Sequence, residues 1–227
     1  MLPNNELENR EKKYFNILEE VFSKNLAKVL NESYSQNMQS FVASGTANPI
    51  EHAIENIIEK IVAENLDWPI CSVPISSDSC YECGDAIVYL DAKTVVNTDP
   101  DATGDKVTVQ AAQTSYDSSK PITLNRKTWR ASVPYYSTHK VFGEIPNLTF
   151  VIKFVYKIDA ITNEYLIERI QLISIPNGQF YHVFKKKIIG AGRFVDRVTS
   201  AYKSIRFLTN KISSVQSWRV FDLFERQ

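Results

Sequence analysis

The sequence has few of the features that mark membrane, secreted or strongly charged proteins. It contains no run of about 18 apolar residues, and it starts with polar residues instead of a signal peptide. Its three cysteines, an odd count, suit a reducing compartment better than a disulfide framework. With 227 residues and 44% apolar content it can bury one sizeable core. We therefore expect a single domain over residues 1–227, without membrane contact, in the cytoplasm.

Net charge is also absent, with 26 basic and 26 acidic residues, but the two signs are unevenly distributed. Residues 1–100 carry 7 Lys and Arg against 16 Asp and Glu, whereas residues 101–227 carry 19 against 10. An acidic half followed by a basic half suits an enzyme that holds Mg²⁺ in one place and phosphate groups in another. Charge halves also arise without a function, so this pattern is only supportive.

The three cysteines lie close together, at Cys71, Cys80 and Cys83. Cys80 and Cys83 have the spacing of a zinc knuckle, but no second pair with this spacing exists, so Cys71 and His52 would have to complete the site. The sequence therefore favours reduced, unpaired thiols over a structural zinc.

Two helices are predicted in the acidic half. Residues 5–33 repeat apolar side chains at helical spacing, which predicts one long amphipathic helix that packs on the core, with a dimer contact as the alternative. Residues 34–48 are polar and predict a loop, and a second helix begins with Asn48 as its cap and Pro49 in its first turn. The stripe of this helix consists of Ile50, Ile54, Ile57, Ile58, Ile61 and Val62. Glu51 points closer to the stripe than Glu55 does, so Glu51 is the first candidate for a functional acid on this helix and Glu55 the second.

A hairpin follows at residues 75–95, with a turn at Glu82 to Asp85 and a second strand from Ala86 to Val95. This strand is apolar except at Asp91 and Lys93, which alternation places on one face. Burying a carboxylate and an amine is costly unless something neutralises them. Mg²⁺ for the Asp and a phosphate for the Lys are the obvious partners.

A second carboxylate is needed because a single Asp seldom holds Mg²⁺. Asp85 is six residues, or about 20 Å of extended chain, from Asp91, so it is better read as a turn residue. If Cys83 and Gly84 form a two-residue loop, position 78 faces position 89, on the face that carries Asp91. Asp78 is therefore the preferred partner, although a bulge at Gly84 would shift this register.

Asp78, twelve intervening residues and then Asp91-Ala92-Lys93 resemble the signature of the PD-(D/E)XK nuclease family. Ser77 stands where the family often has proline, a departure that leaves the carboxylate in place. Many members carry a glutamate on an upstream helix after a loop of small residues, and the segment from Ser44 to Glu51 looks like that element. The resemblance covers residues 45–95, the expected catalytic core, and the rest only in general pattern. A surface hairpin with a solvated Asp and Lys is the alternative reading.

The resemblance implies an α/β, restriction-endonuclease-like fold in which helices flank a mixed central β-sheet. It also implies Mg²⁺-dependent hydrolysis of DNA phosphodiesters that leaves a 5′-phosphate. Asp78, Asp91 and the Ala92 carbonyl would bind the metal, and Glu51 would help to hold it or a second ion. Lys93 would orient or deprotonate the attacking water and stabilise the charge that develops on the phosphate.

Within the family, a stand-alone chain of this size looks like a Type II restriction endonuclease. Such enzymes usually act as homodimers that match a palindromic double-stranded DNA target through a two-fold axis. Two alternatives remain open, a structure-specific repair or junction-resolving nuclease of the same fold and a DNA-binding or zinc-stabilised module without catalysis.

Residues 106–227 are expected to extend the sheet and to supply most DNA contacts. Residues 106–110 predict a strand, and the polar segment that follows it lies where the family often contacts DNA. The candidate contacts are Gln110, Gln113, Thr114, Ser115, Tyr116, Asn125, Arg126, Lys127 and Arg130. Gln and Asn can bind adenine, and Arg or Lys can bind guanine. Loops of this composition are nevertheless common.

The last third predicts a hairpin of two strands, residues 148–158 and 165–175, followed by a helix over residues 193–208. Lys153 shares a face with Lys157, and Arg169 with Gln171, so this face of the hairpin would meet either phosphate or solvent. Lys185-Lys186-Lys187 is most simply a solvated charge run. A closing segment at residues 212–224 is expected to bury Trp218 and Phe221.

Overall fold

The computed structural model describes residues 1–33, 49–71, 78–103, 105–117, 119–159, 161, 165–192 and 201–226. The predicted loop at 34–48, Ser77 and the first eight residues of the predicted helix at 193–208 lie outside the described residues. The helices are α1 (Asn4–Lys24), α2 (Leu26–Ser33), α3 (Pro49–Asn65), α4 (Pro100–Thr103), α5 (Tyr181–Phe184) and α6 (Thr209–Val215). The first six strands are β1 (Ser79–Glu82), β2 (Ile87–Val96), β3 (Lys106–Gln110), β4 (Ile122–Leu124), β5 (Lys127–Trp129) and β6 (Tyr136–His139). The others are β7 (Gly143–Ile158), β8 (Tyr165–Ile175), β9 (Ile189–Gly190), β10 (Ser204–Leu208) and β11 (Val220–Glu225).

The N-terminal region forms two helices, so the prediction of one continuous helix was wrong at Asn25. The side-chain amide of Asn25 donates to the carbonyl of Val21 at 2.8 Å. A side chain that bonds to the backbone in this way competes with the helical pattern. The predicted apolar stripe of α1 is buried as expected, including Tyr14, Phe15 and Leu18.

Helix α3 begins at Pro49, as its sequence predicts, and all six residues of its apolar stripe are buried. Together with α1 it packs on the central sheet, where the ring of Phe15 lies 6.4 Å from that of Phe150. Val88, Leu90 and Ala92 of β2 belong to this core. Because side chains alternate along a strand, Asp91 and Lys93 point to the opposite face.

The central sheet is mixed, which confirms the predicted fold class. Its strands lie in the order β1-β2-β7-β8-β11, and β6 pairs with the beginning of β7. β2 and β7 run parallel, whereas the other neighbours described are antiparallel. The predicted hairpin of β7 and β8 is present. The predicted strand at residues 106–110 is β3, but it joins a second sheet of order β3-β10-β9.

The prediction of a helix through residue 208 was wrong, because residues 204–208 form β10. Ser204 faces Gln110 and Leu208 faces Lys106 in an antiparallel ladder with β3. Ile205 and Phe207 are fully buried on either side of the half-buried Arg206, which is the alternation of a strand.

In the closing segment Trp218 packs partly against the core, but Phe221 is 38% exposed, so its predicted burial was wrong. In the described part of the chain, no helix is long and apolar enough to cross a membrane.

Lys153 and Gln171 are buried, which corrects the prediction that their face of the hairpin meets phosphate or solvent. The ammonium group of Lys153 donates to the backbone carbonyl of Asp101 at 2.9 Å. Burial, with the nearby Arg169, lowers the pKa of Lys153 from its usual 10.5 to about 8. The folded protein therefore binds this proton less tightly than the unfolded chain does.

Replacing Lys153 with methionine is expected to raise the free energy of unfolding at neutral pH by about 1–3 kcal/mol, because the variant no longer buries an ammonium. In the parent, the unfolded chain holds more protons between about pH 8 and pH 10.5, so its stability rises with pH across this window. The stability of the variant does not rise with pH in this way. The difference in unfolding free energy between the variant and its parent should therefore shrink as the pH increases across the window. Urea denaturation of both proteins across the window measures this difference. Lys157→Met, on the same strand but more exposed and paired with Glu168, is the control and should show little change; identical pH profiles for Lys153→Met and its parent would contradict the assignment.

Candidate active site

The hairpin of β1 and β2 sets the geometry of the site. Ser79 faces Leu90 and Glu82 faces Ile87, so the predicted register was wrong by two residues. The turn lies one residue later than predicted: the amide of Cys83 donates to the carbonyl of Ala86 at 2.9 Å, so Gly84 and Asp85 form its tip, with Gly84 in the left-handed region at φ 74°. A shift of two keeps every side chain on its predicted face. Extending the ladder by one pair places Asp78 opposite Asp91.

Asp85 lies in this turn, which confirms its prediction as a turn residue. Its carboxylate lies 3.1 Å from the ammonium of Lys13 and 3.5 Å from Nε of Arg10, and it also accepts the hydroxyl of Tyr14. All three partners belong to α1. The turn is thus fixed by tertiary contacts with the N-terminal helix.

Asp91 is fully buried, and each of its carboxylate oxygens has a different environment. Oδ1 accepts a hydrogen bond of 2.6 Å from the side-chain amide of Gln113. Oδ2 lies 2.5 Å from the ammonium of Lys93, but it has no aligned hydrogen-bond donor among the described residues. Oδ2 is therefore an ion-pair partner that retains its capacity to bind another group.

Asp78 lies half-buried next to the same strand. Its Oδ2 accepts the backbone N–H of Ala92 at 2.6 Å, which holds the carboxylate against the middle of the Asp91-Ala92-Lys93 segment. Asp78, Asp91 and Lys93 are thus brought together by the hairpin.

Glu51 and Glu55, the two candidate acids of α3, have different partners. Oε1 of Glu51 lies 3.9 Å from the ammonium of Lys93, whereas Glu55 pairs with the exposed ring of His52 at 3.0 Å. The structure therefore brings Glu51 to the other candidate residues and directs Glu55 along its own helix.

The electrostatics of the site reflect burial of like charges around one cation. Burial raises the pKa of Asp91 well above its usual range; Lys93 opposes this shift and Asp78 adds to it. Burial likewise raises the pKa of Glu51, again opposed by Lys93. Burial by itself would lower the pKa of Lys93, but Asp91, Asp78 and Glu51 together raise it. The three acids therefore keep Lys93 protonated, and its single positive charge neutralises only part of their negative charge.

These donors fit a divalent cation of the Mg²⁺ class. Such ions prefer carboxylate and carbonyl oxygens and are commonly bound by one or two carboxylates. Oδ2 of Asp91 is a buried oxygen without an aligned hydrogen-bond donor, and the bond from the Ala92 amide uses only one of the two carboxylate oxygens of Asp78. No group of three or more His, Cys, Asp or Glu side chains is arranged to hold a metal within the described ranges. Cys71, Cys80 and Cys83 are free cysteines.

The predicted DNA-contacting residues divide into two sets. Gln113, Thr114, Ser115 and Tyr116 are buried. Ser115 accepts the backbone N–H of Gly178, and Tyr116 donates to the carbonyl of Lys185, so these side chains form hydrogen bonds within the protein. The prediction that they face DNA is corrected accordingly. The exposed or half-exposed set consists of Gln110, Asn125, Arg126, Lys127 and Arg130.

Gln113 is the residue whose role the sequence did not reveal. It follows Asp91 by 22 positions in a polar segment, and no spacing rule connects the two. A short 3₁₀ turn at Ala111–Gln113 aims its amide inward, and its Oε1 accepts the backbone N–H of Gln110 at 2.7 Å. This second bond fixes which end of the amide faces Asp91.

Residues 5–160, more than two thirds of the chain, match the protein family described as Type II restriction enzyme MwoI, N-terminal domain. Two solved structures share the fold. One is the restriction endonuclease BglI bound to its DNA recognition sequence, with a TM-score of 0.77 and 16% sequence identity. The match covers 95% of this chain and 90% of the BglI chain. The other is the tetrameric restriction endonuclease SfiI bound to cognate DNA, with a TM-score of 0.70 and 16% sequence identity. The match covers 100% of this chain and 87% of the SfiI chain. No curated protein sequence matches the chain.

Proposed function

The chain belongs to the family of the Type II restriction enzyme MwoI N-terminal domain, and from this membership we propose that it is a Type II, Mg²⁺-dependent endonuclease that cuts double-stranded DNA at a specific sequence. The observation that carries the proposal is the convergence of Asp78, Asp91 and Lys93 in one buried site. A surface hairpin with solvated charges would not bury Asp91 completely.

In this proposal Asp78, Asp91 and the Ala92 carbonyl would hold the Mg²⁺ ion. Glu51, whose carboxylate lies 3.9 Å from the ammonium of Lys93, would help to hold it or a second ion. Bound there, the ion would supply Lewis-acid stabilisation of the phosphate oxygens and a more acidic water. Gln113 keeps Asp91 in one orientation through its bond to Oδ1.

Lys93 contributes positive charge to the reacting phosphate. Its raised pKa means that it is an ammonium at neutral pH, so of the two roles expected from the sequence, stabilising the developing charge is favoured over removing a proton. As an ammonium it also donates hydrogen bonds that orient the attacking water. The products are a 5′-phosphate and a 3′-hydroxyl.

The assembly we propose is a homodimer, because two-fold symmetry matches a palindromic target. The tetrameric state of SfiI makes the tetramer the other outcome to be tested. In length and Asn-, Lys- and Ile-rich composition the chain also resembles the restriction endonuclease SwaI, a likeness of bulk character only.

Digestion of a plasmid of known sequence tests the function directly. With Mg²⁺ the protein is expected to produce discrete bands, and sequencing of the fragment ends would give the recognised bases and the cut position. A chelator should abolish the bands. A smear would indicate a nuclease without sequence preference, such as a repair or junction-resolving enzyme. Intact plasmid under all Mg²⁺ conditions would contradict the proposal.

Gln113→Ala is expected to lower the cleavage rate and the affinity for Mg²⁺ by about 10- to 100-fold, the usual cost of removing a group that orients a metal ligand. Titration of Mg²⁺ in single-turnover cleavage separates the two effects. A purely structural role for Gln113 would lower the yield of active protein without moving the Mg²⁺ midpoint.

Asn65→Ala is the matched control, because it removes an exposed side-chain amide at the end of α3 away from Glu51, where it bonds to the carbonyl of Ile61 and the side chain of Asn25. We expect its Mg²⁺ midpoint to stay at the parent value. If the two variants behaved alike, Gln113 would not be positioning Asp91.

A further inference from the structure

Two long stretches of the basic half contain no acidic residue. Residues 118–143 and residues 169–195 have neither Asp nor Glu. The structure brings parts of both together: the ammonium of Lys186 donates to the carbonyl of Thr123 at 3.4 Å, and that of Lys120 lies 5.6 Å from the ring centre of Tyr181. Positive side chains from distant parts of the sequence therefore share one surface.

Lys120, Lys185, Lys186 and Lys187 form this surface, the basic ridge. All four are exposed, and none forms an ion pair with a described residue. The three consecutive lysines also line a cleft of about 590 Å³ with Tyr181 and His182. By contrast, Lys12, Lys24 and Lys28 are each paired with a glutamate. A cluster of unpaired like charges repels itself and attracts an anionic partner.

The ridge is held firmly from below. The hydroxyl of Tyr116, a fully buried residue, donates to the carbonyl of Lys185 at 2.5 Å, and its ring packs on Phe207 and Tyr181. Lys185 itself has φ 52° and ψ −148°, a conformation that residues with side chains rarely adopt. Such backbone strain persists only where the surroundings enforce it, and here it presents three lysines in succession to solvent.

The anchor of the ridge is close in sequence to the candidate active site. Tyr116 follows Gln113 by three residues, at most about 10 Å of chain, and Gln113 is bonded to Asp91. Phosphates along one DNA strand follow one another with a rise of about 3.4 Å. A duplex of about twelve base pairs is roughly 40 Å long, which exceeds the length of the path from Asp91 through Gln113 and Tyr116 to Lys185.

We propose that the basic ridge binds the phosphate backbone of duplex DNA on the flank of the cleaved site, through Lys185, Lys186 and Lys187. The inference rests on the proposed nuclease function and deepens it by assigning a surface to sequence-independent DNA binding. Contacts of this kind position a protein on DNA without reading its bases.

The test is the salt dependence of DNA binding by a triple variant, Lys185→Gln with Lys186→Gln and Lys187→Gln. A fluorescent duplex of arbitrary sequence is titrated with protein over a range of KCl concentrations, without divalent metal, and log K is plotted against log salt. Each lost phosphate contact should reduce the steepness of the plot by about 0.9, so the variant is expected to lose about 2–3 in slope. The corresponding triple arginine variant keeps the charge and should keep the parent slope.

Lys12→Gln with Lys24→Gln and Lys28→Gln is the matched control, because it removes the same charge from helices whose lysines already have partners. It should leave the slope unchanged. If the ridge variant fails to fold, the double variant Lys186→Gln with Lys187→Gln leaves the strained Lys185 intact and is expected to lose about 1–2 in slope.

A parent-like slope in a folded ridge variant would overturn the ridge alone, provided that the parent binds and cuts DNA. A parent that neither binds nor cuts DNA would overturn the proposed function, and the ridge with it. Equal losses in the ridge variant and in the matched control would also reject the ridge, since the effect would then follow from net charge.

Discussion

Lys93→Ala is expected to abolish detectable DNA cleavage, with a loss of about 10³-fold or more, while binding to DNA survives. Removing one preorganised group that stabilises transition-state charge usually costs about 10²- to 10³-fold in rate. Lys93 has an additional task, because it is the cation that faces Asp91 at 2.5 Å and Glu51 at 3.9 Å. Without it the buried acids repel one another and the incoming phosphate. The measurement is single-turnover cleavage of a plasmid, with affinity for a duplex determined in parallel.

Lys60→Ala is the matched control for this prediction. Lys60 also pairs with a carboxylate, that of Glu32 at 2.8 Å, but on the surface of α3. We expect its cleavage rate to equal that of the parent. Undiminished cutting by Lys93→Ala would refute the assignment of the site, whereas equal losses in both variants would point to general destabilisation.

The faces of the hairpin of β1 and β2 were predictable from the sequence, but its register was not. Alternation along β2 requires only the strand itself, and it placed Asp91 and Lys93 on one face correctly. The register depends on the turn, and the turn depends on Asp85, whose partners Lys13 and Arg10 lie on a helix more than seventy residues earlier. The convergence survived because the error was an even number of residues; an odd shift would have moved Asp78 to the opposite face.

Burial in the basic half was harder to predict, because it depends on which sheet each segment joins. Gln113 and Tyr116 are polar residues in a polar segment, and only the packing of the second sheet shows that they are internal. Residues 204–208 have an apolar pattern too short to distinguish a helix from a strand. Pairing with β3 makes this segment a strand, and the residues of β3 lie nearly a hundred positions earlier in the sequence.

A second buried charge pair, away from the candidate active site, ties the two ends of the chain together. Arg219 and Glu11 are both fully buried, with Nη2 of the arginine 2.5 Å from Oε2 of the glutamate. Arg219 also donates to the hydroxyl of Ser174 at 2.9 Å, and Glu11 accepts the backbone N–H of Asn177 at 2.8 Å. The rings of Trp218, Phe180 and Phe184 surround the guanidinium at 4.3, 5.4 and 5.5 Å. The pair therefore fastens α1 to the segment that precedes β11.

Arg219→Ala is expected to lower the free energy of unfolding by about 3–5 kcal/mol, because it leaves the carboxylate of Glu11 buried without a counter-charge. For a chain of this length such a loss corresponds to a fall of roughly 10 °C in melting temperature. Urea and thermal denaturation measure both quantities. Lys24→Ala is the matched control: it removes a cation of α1 whose partner Glu20 is, like Lys24 itself, exposed to solvent, and such pairs contribute about 0–1 kcal/mol.

The pH dependence of the Arg219 variant separates an unpaired charge from simple loss of packing. Burial already raises the pKa of Glu11, and Arg219 opposes that shift. Removing Arg219 should therefore raise the pKa of Glu11 further, so that the folded variant takes up a proton that the unfolded chain releases at lower pH. Its deficit relative to the parent is then largest at neutral pH and shrinks as the pH falls through the raised pKa. A deficit that stayed constant with pH would mean that the guanidinium stabilises the fold by filling its aromatic cage and not by neutralising Glu11.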